Sequence, residues 1–229
     1  MPPFFGMSGK VFPSAKRDRG TVNLSKLYSA EAAFCAGGLA FIGLAFVSDL
    51  SQHLTRIAID PTHAHFGGDF FLRVNIPAMG VALIAFGLGM YILEHHRNRV
   101  HLLAFVAGLL ILIDGITHLF ALSDHLSAPL QVVFFGVVAP LQIAGGLLLV
   151  FLPRAWDRYW IVLTIILIVI YGVSRRFAVP GLWNLEPVDP LGIFSKAIEL
   201  LSLFPLVSLV RSGRGVPAPT PAVTKAAEP

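Results

Sequence analysis

Long, continuous apolar runs dominate the pattern of hydrophobic and polar positions along this chain. Six of these runs approach or exceed the roughly 20 residues that a helix needs to cross a hydrocarbon core of about 30 Å. They cover residues 31–50, 70–93, 101–122, 129–152, 158–174 and 192–210. The runs lack the two-residue alternation of barrel strands, so they predict helices. The predicted fold class is all-α: a polytopic membrane protein with a bundle of about six transmembrane helices.

Composition agrees with this fold class and narrows the range of partners. The chain has 229 residues, of which 55% are hydrophobic and 13% are charged, whereas soluble domains carry about 25% charged residues. A soluble single domain and a disordered chain are therefore excluded, and the lone Cys35 excludes a disulfide scaffold. The net charge of +4 indicates basic residues that flank membrane spans. We expect a lipid bilayer around the protein and no nucleic-acid partner.

The distribution of lysine and arginine predicts how the bundle is oriented. If the N-terminus is cytoplasmic, most basic residues share its side: Lys10, Lys16, Arg17, Arg19, Lys26, Arg97, Arg99, Arg154, Arg158, Arg211, Arg214 and Lys225. The opposite side then holds Arg56, Arg73, Arg175, Arg176 and Lys196. Because basic residues accumulate in cytoplasmic loops, both termini are predicted to be cytoplasmic in a multi-pass protein of the cell or cytoplasmic membrane.

The same pattern divides the chain into three parts. Residues 1–30 form a basic cytoplasmic N-terminal segment, and they lack the features of a cleaved signal peptide. Residues 31–211 form the six-helix transmembrane domain. Residues 212–229 are rich in Pro and Ala and are predicted to be a disordered tail, because they contain too little apolar surface to fold.

Cysteine labelling tests this orientation. Cysteines introduced into 51–69 and into 94–100 should react from opposite sides of the membrane, because one predicted span separates the two segments. Labelling of both segments from the same side would contradict the predicted topology.

The third apolar run contains ionisable residues where lipid-facing helices rarely have them. Asp114 lies about eight residues from the outer end of that run, a depth of about 12 Å at about 1.5 Å per residue. Burying a carboxylate there costs at least about 2.5–3.5 kcal/mol, so a partner is expected. His118 and His125 follow at i+4 and i+11, offsets of about 40° and 20° around a helix. All three side chains are therefore predicted to share one stripe.

One carboxylate and two imidazoles on a stripe form a donor set that suits zinc, copper(II) or non-haem iron. His63 and His65, in the loop that follows the first span, lie on the same side of the membrane and extend this candidate site. Two other interpretations of Asp114 and His118 stay open, a structural hydrogen bond or ion pair and a proton relay. Glu199 in the sixth run is explained without function by an i, i+3 pair with Lys196.

Residues 114–146 resemble one known family, a copper-binding membrane subunit of the particulate methane and ammonia monooxygenases. The matching residues are Asp114, Gly115, His118, Asp124, Pro129, Phe135, Pro140 and Gly146. The resemblance implies copper ligation by Asp114 and His118. The family has a third ligand, the His of its P-x-H motif, where this chain has Gln131. Since Gln is a poor copper ligand, either His125 substitutes for this ligand or the site is degraded. The family's second motif, N-E-W-G-H, has no counterpart here.

The leading hypothesis is a membrane subunit with an Asp/His metal site near the outer face, with copper as the preferred metal. Such a subunit would be a divergent part of a membrane copper monooxygenase and would have other membrane subunits as partners. The first alternative is a haem b anchor in quinol-linked electron transfer. Haem needs two axial histidines from different helices, and the candidates are His118 with His53, or His95 or His96 with His101. The second alternative is a non-enzymatic metal transport or structural membrane protein.

Overall fold

The computed structural model describes residues 30–59, 71–96, 98–178 and 188–213. These residues form six helices: α1 (Ala30–Ile59), α2 (Ile76–His95), α3 (Arg99–Asp124), α4 (Pro129–Leu148), α5 (Trp156–Ser174) and α6 (Pro190–Gly213). A π-helical turn, Phe71–Asn75, leads directly into α2. All six are long and apolar enough to cross a membrane. The all-α, six-helix prediction is confirmed, and the protein is an integral multi-pass membrane protein.

Two predicted boundaries need correction. The sequence predicts that the first span ends at residue 50, but α1 continues to Ile59 and places His53 inside a helix instead of a loop. The polar residues near this end do not stop the helix, because their side chains find partners on neighbouring helices. The fourth span is predicted to reach residue 152, but α4 ends at Leu148 and a turn follows. Pro153 disfavours helical geometry for the residue before it, which accounts for the earlier end.

α3 lies at the centre of the bundle and packs against α4, α6, α1 and α2. Its close contact with α4 depends on small residues. Gly108 and Gly146 face each other across this interface, where the backbones approach so closely that a Cβ on either residue would clash. Gly115, directly after Asp114, allows the backbone of α4 to approach in the same way. Such small-residue contacts are typical of packed transmembrane helices.

The mutation Gly146→Val should therefore destabilise the bundle. A Cβ at this position would lie 2.6 Å from the carbonyl oxygen of Gly108 and 2.7 Å from the backbone nitrogen of Leu112. Backbone atoms cannot rotate away, so we expect a loss of about 1–3 kcal/mol, as is common for overpacked cores. Thermal unfolding in detergent measures the effect. The control Gly136→Val lies on the same helix with open space around it, and equal melting temperatures for the two variants would contradict the packing account.

Arg73 in the π-helical turn joins three helices at one end of the bundle. Its Nε donates to Oδ1 of Asp49 on α1 at 2.8 Å, and its Nη1 and Nη2 donate to Asp124 on α3 at 2.8 and 2.7 Å. Ser123 donates to Oδ2 of Asp49 at 2.6 Å, and His53 Nε2 lies 3.2 Å from Asp124 Oδ1. This group, the Arg73 cluster, explains why α1 remains helical beyond Asp49.

Candidate metal centre

A second polar cluster lies deeper in the bundle, where α3, α4 and α6 meet. Asp114 and His118 stand one turn apart on α3, and Ser195 and Glu199 stand one turn apart on α6. Residues at i and i+4 share a helix face, so two polar pairs face each other. Gln142 on α4 completes the cluster. All five side chains are buried; Asp114 is 2% exposed and Glu199 is 1% exposed.

The Asp114 carboxylate is held by a hydrogen bond to each of its oxygens. Gln142 Nε2 donates to Oδ2 at 2.5 Å, and Ser195 Oγ donates to Oδ1 at 2.6 Å. Thr117 donates to the backbone carbonyl of Asp114 at 2.7 Å. Gly115 contributes by leaving room for α4, since a Cβ there would lie 2.9 Å from Cβ of Gln142. The carboxylate therefore has a fixed orientation, supplied by two other helices.

The Gln142 amide also fixes the tautomer of His118. Because Nε2 of Gln142 donates to Asp114, the amide oxygen Oε1 faces the imidazole, and it lies 2.7 Å from His118 Nδ1. An amide oxygen only accepts hydrogen bonds, so Nδ1 carries the proton. In the neutral ring, Nε2 then has a free lone pair. It points toward α6, where Oε1 of Glu199 lies 3.9 Å away.

Glu199 contributes a second carboxyl group to the cluster, from α6. Its Oε1 accepts a short hydrogen bond from Lys196 one turn earlier on α6, which confirms the predicted i, i+3 pair. Its Oε2 is buried and has no hydrogen-bond partner among the described residues. Such an orphaned buried oxygen is costly, so Glu199 retains capacity for a further ligand that the pair with Lys196 does not use.

Asp114, His118 and Glu199 together could bind a metal ion. One ligand atom from each residue lies within 4.8 Å of the other two. The donor set of two carboxylates and one imidazole suits first-row transition metals. The hydrogen bonds from Gln142 and Ser195 resemble the outer-shell contacts that commonly orient metal-ligating side chains. By their chemistry, these residues could therefore hold a metal ion.

The site lies well inside the bundle. Asp114 is ten residues from the end of α3, and Glu199 is nine residues from the start of α6, which corresponds to about 14–15 Å along each helix. This depth is somewhat greater than the predicted depth of Asp114. Lys196 lies in the same half of α6, closer to the helix end.

The structure brings only two of the predicted ligands together among the residues that it describes. Asp114 and His118 share one cluster. His125 lies at the end of α3, about 10 Å along the axis from His118, and its Nδ1 is 2.7 Å from the carbonyl oxygen of Ala121. Gln131 lies in the first turn of α4, about 16 Å along the axis from Gln142. His63 and His65 lie outside the described residues.

The histidine pairs considered for haem ligation have other geometries. His96 and His101 stack face to face, with ring centres 4.2 Å apart and planes inclined by 3°, so their nitrogens do not point at a shared iron. His118 directs its Nε2 toward Glu199 on α6, whereas the Nε2 of His53 lies between Arg73 and Asp124 in the Arg73 cluster. Axial ligation needs two imidazole nitrogens that face each other across the macrocycle, an arrangement that neither His96 with His101 nor His118 with His53 has.

Comparisons of the chain with family models, with curated proteins and with solved structures found no match. The resemblance of residues 114–146 to the monooxygenase subunit therefore stays a prediction. What the structure itself establishes is a multi-pass membrane protein whose bundle contains a buried Asp/His/Glu cluster that could hold a metal.

Proposed function

We propose that this membrane protein binds a transition-metal ion, copper(II) preferred, between α3 and α6 through Asp114, His118 and Glu199. The observation that carries the proposal is the double role of Gln142. One amide orients both the Asp114 carboxylate and the His118 imidazole, and it leaves His118 Nε2 directed at Glu199. Oε2 of Glu199 accepts no hydrogen bond from the described residues, which leaves an oxygen that an ion could use.

The preference for copper has two supports. For a given nitrogen and oxygen donor set, divalent affinity rises along the first row to copper and falls at zinc. The resemblance to the monooxygenase family also implies copper at Asp114 and His118. Bound copper would supply one-electron redox chemistry, and this chain would then act as a divergent subunit of a membrane oxygenase with other membrane subunits as partners. Asp114, His118 and Glu199 would hold the ion, while Gln142 and Ser195 would orient the ligands.

The mutation Gln142→Leu tests this proposal without removing any ligand. Outer-shell partners of metal ligands typically contribute about 10–100-fold in affinity, so we expect a loss of that size in a titration of the purified protein with copper(II). The variant also leaves Asp114 Oδ2 without its 2.5 Å hydrogen bond, so the melting temperature is measured alongside.

Gln131→Leu is the matched control, because it removes an amide from the same helix at the position that the family resemblance assigns to the third ligand. Copper affinity should change little in this variant. A large loss in Gln131→Leu, with Gln142→Leu unaffected, would contradict the proposed ligand set and favour the family pattern.

A further inference from the structure

The metal site contains a cation of its own. Lys196 Nζ donates to Oε1 of Glu199, and this is the same oxygen that faces His118 Nε2 at 3.9 Å. The other carboxylate oxygen, Oε2, has no hydrogen-bond partner among the described residues. The ammonium group therefore lies on the Glu199 oxygen nearest His118 Nε2, next to the position of an ion shared with His118.

A metal ion and this ammonium group compete for the same carboxylate. A divalent metal that binds while Lys196 stays would bring two cations to one buried carboxyl group. Repulsion between like charges is strong where water is excluded. Binding of the metal therefore favours withdrawal of the Lys196 side chain.

A second position for the ammonium group exists at the adjacent end of the bundle. Lys196 Nζ already lies 5.4 Å from the centre of the Tyr171 ring on α5, within the range of a cation–π contact. The Tyr171 hydroxyl is buried without a hydrogen-bond partner in the described part of the chain. Lys196 lies six residues after the start of α6, about 9 Å along the helix, and lysine side chains near helix ends readily extend toward the membrane surface.

We infer that Lys196 is a tethered cation that holds Glu199 until a metal ion displaces it toward Tyr171. The inference rests on the proposed function and adds a mechanism for controlling it. In the metal-free site, Lys196 compensates the buried carboxylates. In the metal-loaded site, Lys196 lies near Tyr171 and stays close enough to bind Glu199 again. The lysine therefore lowers the affinity for the metal and promotes its release.

Copper(II) titration of Lys196→Met tests this competition. Removing the competing charge should tighten copper binding about tenfold or more relative to wild type. The matched control is Arg176→Met, because it removes a positive charge from an exposed position just after the end of α5. This control should bind copper like wild type. Equal or weaker binding by Lys196→Met, or equal tightening in both variants, would overturn the inference.

Lys196→Met leaves Glu199 without its cation, and a loss of folding would hide the effect on affinity, so a second measurement uses the wild-type protein. Reductive methylation followed by mass spectrometry reports the accessibility of Lys196, normalised to the other lysines of the chain. Copper should increase modification of Lys196 several-fold. Unchanged or reduced modification in copper-loaded protein would overturn the inference while leaving the proposed metal site intact. Failure of wild type and Lys196→Met alike to bind copper would instead refute the metal site itself.

Discussion

Replacing Asp114 by alanine should abolish metal binding. The carboxylate is one of three ligands, and it is also the acceptor that orients Gln142, which in turn orients His118. One substitution therefore removes a ligand and releases a second one from its fixed position. Metal analysis of the purified variant after equilibration with copper(II) measures the effect, and we expect no copper at this site.

Two further variants separate a metal ligand from a structural hydrogen bond. Asp114→Asn keeps the shape and a hydrogen-bonding carbonyl oxygen but loses the charge that a metal requires, so it should also lose copper. If Asp114 were only a structural hydrogen-bond acceptor, Asp114→Asn would leave the copper content nearly unchanged. Asp124→Asn is the control, because it removes a carboxylate from the same helix ten residues away, and its copper content should match that of wild type.

The mutation Arg73→Met should destabilise the protein more than Gly146→Val does. Arg73 bridges Asp49, which is fully buried, and Asp124. Without the guanidinium, two carboxylates face each other beside His53 with no compensating cation from the turn before α2. Breaking a buried ion pair from one side typically costs about 3–5 kcal/mol. The melting temperature in detergent should fall accordingly, and α1 should separate from α3 first, because the Arg73 cluster joins their ends.

Charge neutralisation provides the check on this mechanism. The triple variant Arg73→Met, Asp49→Asn, Asp124→Asn removes all three charges, so it should recover much of the stability that the single variant loses. Arg99→Met, at an exposed position at the start of α3, should change stability by less than about 0.5 kcal/mol. An Arg73→Met protein with the same melting temperature as the wild type would contradict a stabilising role for the Arg73 cluster.

The fold was predictable because membrane helices can be recognised from hydropathy along the sequence. A run of apolar residues long enough to span the bilayer has few alternatives to a helix. The exact end of α1 was not predictable, because hydropathy falls at Asp49 and His53. The side chains of these two residues are paired with Arg73 and Asp124, which come from distant parts of the sequence.

The candidate site was predictable in part for the same reason. Asp114 and His118 stand out as ionisable residues at i, i+4 spacing within an apolar run. Glu199 was visible too, but Lys196 offered a sufficient partner within the same helix. That α6 turns its Ser195 and Glu199 face toward α3 depends on helix packing, which the spacing within one helix does not encode.

Gln142 was the hardest residue to foresee. It is a polar residue among the apolar residues of α4, but it carries no charge, so it lacks the burial cost that makes ionisable residues in apolar runs stand out. Its importance follows from Gly115, which lets α4 approach Asp114 closely enough for one amide to contact both Asp114 and His118. A glycine beside a buried acid is the signal that sequence reasoning could have used, because it marks where a neighbouring backbone comes close.

Pulsed EPR of the protein loaded with copper(II) can show directly whether His118 binds the ion, because imidazole nitrogen bound to copper gives a characteristic coupling. The account predicts about one copper ion per wild-type chain, with an imidazole signal that disappears in His118→Gln. The chain contains eight histidines, so the comparison with this variant assigns the signal to one ring. Wild-type protein that binds no copper, or an imidazole signal that persists unchanged in His118→Gln, would contradict a metal centre at Asp114, His118 and Glu199.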